Sequence, residues 1–282
     1  LLLDIRRKRF DAVVSLANNP FGSIVAAASG APLRIKTSHF PRTLAEKLSD
    51  FLNNVRRVYR DGTFLQAHYL SLLEPLGIHA GEPVKEVYTN GVGEQKAEAF
   101  LKSESIAAGD RLVGISVSAG NTVKEWPRER FAELADRLIA ENCARIVFID
   151  APRDAEKIQK TIFSMKEKTR VSVATHFSLE ELPSLIKRLS LFIAVDTGTI
   201  YIAHALGVPL VDIVGPVEPN EQPPKDEKSI QVLPPLVTAP SSFVLRHPGS
   251  FRARRAAILA TPVSAVFAAA AALLQKYSPT AS

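Results

Sequence analysis

Val195-Asp196-Thr197-Gly198-Thr199 stands between the apolar run Leu191-Phe192-Ile193-Ala194 and a stretch of helical character that ends at Gly207. A buried strand, a tight turn and a helix start thus follow one another directly. This order brings backbone N–H groups and a carboxylate together at the C-terminal edge of a sheet. Open α/β folds bind phosphorylated ligands there, because the first turn of a helix offers unpaired donors and the positive end of its dipole. The stretch therefore predicts a nucleotide or nucleotide-linked ligand on a parallel sheet. Two further loops strengthen the expectation: Ser118-Ala119-Gly120-Asn121-Thr122-Val123-Lys124-Glu125-Trp126-Pro127, and Gly207-Val208-Pro209 continuing to Gly215-Pro216-Val217-Glu218-Pro219. Each follows another predicted strand of the same half, so three loops converge on one edge.

The rest of that half alternates in the same way. Leu112 to Val117 reads as a strand, and Phe131, Leu134, Ala135, Leu138 and Ile139 recur at the spacing of a core-facing helical stripe. Arg145–Ile149 is the next strand, 154–165 the next helix, and Val171-Ser172-Val173 a short strand. Ser178 with Glu181 three residues on has capping-box form and opens a predicted helix through Leu189. Leu191–Val195 and 209–214 complete a series that predicts a parallel sheet covered on both faces. Upstream, Asp11–Leu16 reads as a strand, 21–28 as a short helix closed by Gly30, Leu33-Arg34-Ile35 and Val87-Tyr88 as candidate strands, and 65–76 as a helix. Polar residues 91–95 are the best boundary. The expected division is 1–95, 96–260, and a C-terminal helix and tail at 261–282.

A hydrophobic content of 46% over 282 residues suffices for two ordinary cores. The single cysteine, Cys143, excludes an internal disulfide framework and fits a cytoplasmic setting. A net charge of +6 spread over both halves gives no dedicated polyanion-binding arm, and nucleic acid is not an expected partner. Residues 256–275 are almost wholly apolar and near the length of a membrane span, but Thr261-Pro262 reads as an N-cap with proline at the first helical position. A packed helix is the expectation. Leu1 to Arg9 reads as a helix end with cations in its last turn, which leads to the expectation of a segment before Leu1.

Among chemistry-bearing residues, Lys124 can set its ammonium against a diphosphate and stabilise the charge of a departing phosphate, or stand as a solvated loop lysine. Asp196 is either an N-cap or an acceptor for ligand hydroxyls, while Thr197 and the N–H groups of Gly198 and Thr199 face phosphates. Asp154 and Glu156 can accept ribose hydroxyls, or serve as ordinary acids at a helix start. His204 reads as a packed residue. The six histidines lack ligand spacing, and no metal site is expected. The glycine-rich signatures of P-loop and dinucleotide-binding proteins are absent, as is Gly-x-Ser-x-Gly.

Taken together, Lys124-Glu125-Trp126-Pro127-Arg128-Glu129-Arg130-Phe131, Ser178-Leu179-Glu180-Glu181-Leu182, Val195-Asp196-Thr197-Gly198 and the 207–219 motif resemble the bacterial heptosyltransferases of glycosyltransferase family nine. The resemblance implies a GT-B fold, an α/β architecture of two Rossmann-like domains with parallel sheets facing a cleft, the first domain incomplete here. It implies inverting, metal-independent transfer of heptose from ADP-heptose to the inner core of lipopolysaccharide, with no cofactor beyond the donor substrate. Lipopolysaccharide core or another lipid-linked acceptor is the implied partner, in the cytoplasm, and peripheral contact with the inner membrane stays open. By position, Lys124 and Asp196 are the implied catalytic residues, on phosphate and on sugar hydroxyls. Ser118, Thr122, Asp154, Glu156, Phe177, Thr197, Gly198, Thr199, Tyr201, Gly215 and Pro216 form the implied substrate-binding set, Asp154 at ribose and Phe177 beside adenine.

Three departures accompany the resemblance. The family's first loop, with its proposed general base, is expected to precede Leu1. Tyr201 stands where histidine is common, and Asp154 is one methylene shorter than the glutamate of some relatives. Two other readings remain, a non-catalytic nucleotide-sugar-binding protein and a GT-B-like sugar-nucleotide epimerase. Arg246, Arg252, Arg254 and Arg255 read either as a solvated basic loop or as contacts to acidic lipid or a phosphorylated acceptor.

Overall fold

A computed structural model describes residues 2–17, 19–39, 43–235 and 251–277, with only the backbone at position 253. The chain divides into two compact units, Leu1–Val84 with Asn220–Gln222, and Lys85–Pro219 with Pro223–Ser282. Both are parallel α/β layers.

The first unit alternates α1 (Leu2–Arg7), β1 (Ala12–Ser15), α2 (Pro20–Ser29), β2 (Leu33–Ser38), α3 (Leu44–Asp50), β3 (Val55–Val58) and α4 (Leu65–Ser71), with its sheet in the order β1-β2-β3. Asn19 accepts from Gly22 N at 2.9 Å, Pro20 opens α2, and Gly30 closes it at φ 74°. These are the start and stop signals legible in the sequence. Val87-Tyr88 forms no strand. The third strand lies at Val55–Val58 instead, where Arg56 and Arg57 interrupt the apolar pattern. Within β2, Lys36 is fully buried and donates to Asp50 of α3 at 3.0 Å, which satisfies a charge that the strand carries into the core. Asn220–Gln222 join this unit through Glu221, whose carbonyl accepts from Leu65 N at 2.8 Å and whose carboxylate accepts from Gly62 N at 2.6 Å.

The second unit contains α5 (Gly91–Ser103), β4 (Leu112–Ile115), α6 (Arg128–Asn142), β5 (Arg145–Ile149), α7 (Ala155–Ser164), β6 (Val171–Ala174), α8 (Leu182–Ile186), β7 (Leu191–Val195), α9 (Gly198–Ala205), β8 (Leu210–Ile213), β9 (Ser229–Val232), α10 (Phe251–Ala260) and α11 (Val263–Tyr277). Its six strands are parallel in the order β6-β5-β4-β7-β8-β9. The winding reverses between β4 and β7, and the loops leaving those two strands open a crevice at the sheet edge. Alternate strand residues feed two cores. Ile193, Val195, Val211 and Ile213 pack with α6 and α11, whereas Phe192, Ala194 and Leu210 pack with α5, α8 and α9.

Ser178 and Glu181 make the expected capping contacts, with Glu181 N donating to Ser178 Oγ at 3.3 Å and Ser178 N to Glu181 Oε2 at 2.8 Å. The α-helix nevertheless spans only Leu182–Ile186. An earlier start would place Pro183 inside the helix, where its ring clashes and donates nothing, and the last turn tightens into i+3 bonds from Arg188 and Leu189. At the C-terminus, α10 and α11 bend by 59° at Thr261-Pro262. Among the described residues no single helix is long and apolar enough to cross a membrane, and Val266, Ala270, Leu273 and Leu274 of α11 are buried in the sheet's core.

Gly114 lies in the centre of β4, where a Cβ would stand 2.5 Å from Leu189 Cδ1, 3.0 Å from Phe192 Cδ2 and 3.2 Å from Ile149 Cδ1. Three neighbours would have to move at once. Gly114→Val is therefore expected to lower the unfolding free energy by about 3 kcal/mol, the upper end of overpacking costs. A denaturant midpoint equal to that of the parent would refute this packing argument.

Candidate functional site

The site begins with a half-buried carboxylate just after β5. Asp150 accepts from Ser116 Oγ at 2.7 Å, Ser118 Oγ at 2.5 Å and Val117 N at 2.9 Å, which fixes the backbone as it leaves β4. Burial raises its pKa above the usual carboxylate value, and the three donors oppose that rise. Asp150 is absent from the sequence-derived set, although it shares with Asp196 the sign that marked the latter: an acid directly after an apolar strand.

Beyond Ser118, Asn121 accepts from Val123 N at 3.1 Å and opens a single 3-10 turn, Thr122–Lys124. That turn is held on several sides. Trp126 Nε1 donates to Thr261 O at 3.0 Å, and its ring meets Phe131 edge-on at 5.0 Å. The Arg255 guanidinium donates to Thr122 O at 3.0 Å and also to Glu125 O. Gly215 brings its backbone against Lys124, since a Cβ there would lie 3.6 Å from the lysine Cα. Arg255 is thus half-buried, with its pKa lowered by burial, and clamps the lysine turn instead of forming part of a free basic loop. Arg246 lies outside the described residues.

Lys124 is 8% exposed and donates from Nζ to Asp196 Oδ2. Asp196, 7% exposed, also accepts from Tyr201 Oη at 3.1 Å through Oδ1. Burial, then the Asp196 carboxylate, push the Tyr201 phenol far above its ordinary value, so it remains a donor. The N-cap alternative for Asp196 is not realised. Thr197 takes the cap position with extended backbone and makes no side-chain cap bond, while the Asp196 carboxylate turns to Lys124 and Tyr201. His204 is half-buried, with Nε2 3.1 Å from Asp226 Oδ2, and burial lowers its pKa.

A cavity of about 840 Å³ opens at the C-terminal ends of β4, β5 and β7. Of the sequence-derived residues, Ser118, Asp154, Phe177, Thr197, Gly198 and Thr199 line it. The first turn of α9 therefore faces the cavity, and the buried Thr199 hydroxyl has no hydrogen-bond partner. Asp154 sits at one wall, paired with Lys157 at 3.0 Å. Lys157 also donates to Glu125 Oε1 at 2.7 Å. Burial acts to lower the Lys157 pKa, but hydrogen bonds to Glu125 and Asp154 leave it raised. Phe177 meets Phe100 edge-on at 5.8 Å and lies 5.2 Å beneath Lys96 Nζ. Thr122, Tyr201, Gly215 and Pro216 do not line it, nor do Lys124 and Asp196, whereas Glu156 points to solvent and pairs with Lys160 at 2.5 Å. Among the described residues no group of three or more His, Cys, Asp or Glu side chains converges as metal ligands.

Comparison with known proteins agrees with this architecture. Residues 1–242 match the model of glycosyltransferase family 9 (heptosyltransferase). Lipooligosaccharide heptosyltransferase 2 of Haemophilus influenzae is 26% identical over 232 residues, an alignment that covers 79% of this chain and 65% of that protein. The chain thus spans about two-thirds of the length of the curated relatives it matches. A family 9 glycosyl transferase from Veillonella parvula superposes with a TM-score of 0.77 at 24% identity, over 98% of this chain and 78% of that one. ADP-heptose lps heptosyltransferase II of Escherichia coli does so with 0.71 at 20% identity, over 98% and 80%. These likenesses establish the GT-B fold with Rossmann-like domains. With the family model spanning most of its length, the chain belongs to glycosyltransferase family 9, the heptosyltransferase family.

Proposed function

We propose that the second unit binds the nucleotide sugar ADP-heptose and promotes inverting, metal-independent transfer of the heptose to the inner core of lipopolysaccharide. Membership of the heptosyltransferase family supports this, as does the E. coli neighbour, an ADP-heptose lps heptosyltransferase II. The observation that carries the reading is the buried Lys124–Asp196 pair beside a cavity whose wall includes the N-terminus of α9.

In the proposed reaction the bond between the anomeric carbon and the β-phosphate oxygen breaks. An acceptor hydroxyl forms the new bond from the opposite face and gives its proton to a general base. Negative charge accumulates on the departing diphosphate. An ammonium has three donors, so Lys124 can keep Asp196 and still donate to a phosphate oxygen. The free N–H groups of Gly198 and Thr199 add the positive end of a helix. Together they supply fixed positive charge where the transition state needs it, the role a cation has in other phosphate-leaving reactions. Asp196, already oriented by Tyr201, has acceptor capacity left for sugar hydroxyls, and Asp154 can accept from ribose once Lys157 shifts toward Glu125.

Calorimetric titration of the chain with ADP, UDP and GDP, without added metal, tests the reading. ADP is expected to bind at least about tenfold more tightly than the others, a difference of about 1.4 kcal/mol. A Lys124→Ala, Asp196→Ala double variant is expected to lose that binding. Equal affinity for all three nucleotides, or binding unchanged in the double variant, would remove the proposed site.

A further inference from the structure

Val211-Asp212-Ile213 reads as an ordinary strand segment, yet it carries an acid into the interior. Asp212 stands in β8 opposite Ala194 of β7 and Gln231 of β9. Val211 and Ile213 face the core of α6 and α11. Asp212, in the alternate register, faces the side covered by α9, where Leu210, Ala194, Ile200 and Ala203 pack and Tyr201 closes over them. Asp212 is fully buried, and neither carboxyl oxygen has a hydrogen-bond partner. Ala194 lies two residues before Asp196, so this carboxyl lies beneath the donor-site pair.

The two neighbouring polar side chains are engaged elsewhere. Tyr201 from α9 gives its hydroxyl to Asp196, and Gln231 from β9 gives its amide to Pro219 O and Pro224 O, each at 3.1 Å. The charges that reach Asp212 are the Asp196 carboxylate and the Lys124 ammonium. An ionised carboxylate in that position would be shut off from bulk solvent with no protein donor, and it would add a second anion beside a single cation.

We propose that Asp212 is carried as a neutral carboxylic acid and is a positioning residue for the donor site. By withholding a second negative charge from beneath Asp196, it leaves Lys124 balanced by one carboxylate and available to an incoming diphosphate. Burial, reinforced by Asp196 and opposed by Lys124, raises the Asp212 pKa well above the usual carboxylate value, in keeping with this assignment. The sign follows directly. At neutral pH the folded chain holds a proton that the unfolded chain has released. When Asp212 loses that proton at alkaline pH, Lys124 is drawn to a second anion and nucleotide affinity falls. The consequence for affinity rests on the proposed nucleotide site, but the protonation state does not.

The deciding measurement is a carbon NMR titration of the ligand-free protein labelled at the aspartate carboxyl carbons. One aspartate is expected to keep the signal of a protonated acid at about pH 7, and that signal should be missing from Asp212→Asn. Should that variant not fold, two others identify the signal. Its transition moves to lower pH in Asp196→Asn, which removes the neighbouring anion, and to higher pH in Lys124→Ala, which removes the cation. Carboxylate signals from every aspartate at about pH 7, or a protonated signal unmoved by all three substitutions, would overturn the assignment. ADP affinity should then fall roughly tenfold as this signal titrates, about one pK unit of coupling, and remain flat across the same range in Asp212→Asn. Affinity that remains flat in the parent as well would reduce Asp212 to a packing residue and refute the positioning role. Absence of any ADP binding would count against the nucleotide reading alone, because the titration uses no ligand.

Discussion

Replacing Lys124 with alanine is expected to lower the rate of sugar transfer by roughly 10²–10³-fold, the scale on which a preorganised donor to a developing anion acts. The side chain sits on a turn fixed by Trp126, Arg255 and the backbone of Gly215, none of which uses the ammonium for its own contacts. The variant should therefore keep its fold, with Asp196 still bonded to Tyr201. Lys124→Arg is not expected to restore the rate. A planar guanidinium occupies more room than a point-like ammonium, and the lysine side chain is almost wholly buried. A single-turnover transfer assay, run beside a thermal melt, separates the outcomes. Transfer within about twofold of the parent in a folded Lys124→Ala protein would remove the lysine from the chemistry.

Why this lysine and Asp196 are legible in the sequence, and other residues of the site are not, has a physical basis. β7 is buried on both faces, so it reads as a continuous apolar run, and an acid directly after such a run has to be paired. Asp150 follows β5 in the same manner. Its task, however, is to gather three donors from a different strand end, which no local pattern records. Arg255 is more remote still. In sequence it belongs to a cluster of arginines that looks solvated, and only the packing of α10 against the lysine turn gives it two carbonyls to bind. β3 and β9 are four residues each, the one broken by adjacent arginines and the other partly exposed, so neither develops a strand-like run. Lys36 and Asp212 are hidden for a further reason. A polar residue within a strand ordinarily marks the wet face, but each of these points into a covered one. The helix at Ser178 is legible at its capping residue and misleading in its length, because proline at 183 governs where an α-helical turn can begin.

Removing Asp196 is expected to act on stability as much as on binding. Its side chain and that of Lys124 are 6% and 10% exposed, so the pair is close to buried, and loss of one partner strands the other charge. Asp196→Ala should lower the unfolding free energy by about 3 kcal/mol, the low end for a broken buried pair, because the Lys124 side chain keeps a little contact with water. Lys124→Ala should cost less, since Asp196 keeps the Tyr201 hydroxyl. The double variant carries no stranded charge, so it should be more stable than the sum of the single losses predicts, by about 2 kcal/mol of coupling. Chemical denaturation of the parent, both single variants and the double variant at one pH closes this cycle. A coupling near zero would mean that the two side chains are solvated independently of each other. In that case Asp196 could not be holding Lys124 in readiness for a diphosphate, and the ligand-free protein would have no preorganised charge at its switch point. A clear coupling identifies the pair as a built element of the apo site: the charge is already in place before any nucleotide arrives, and little reorganisation remains to be made as the leaving group departs.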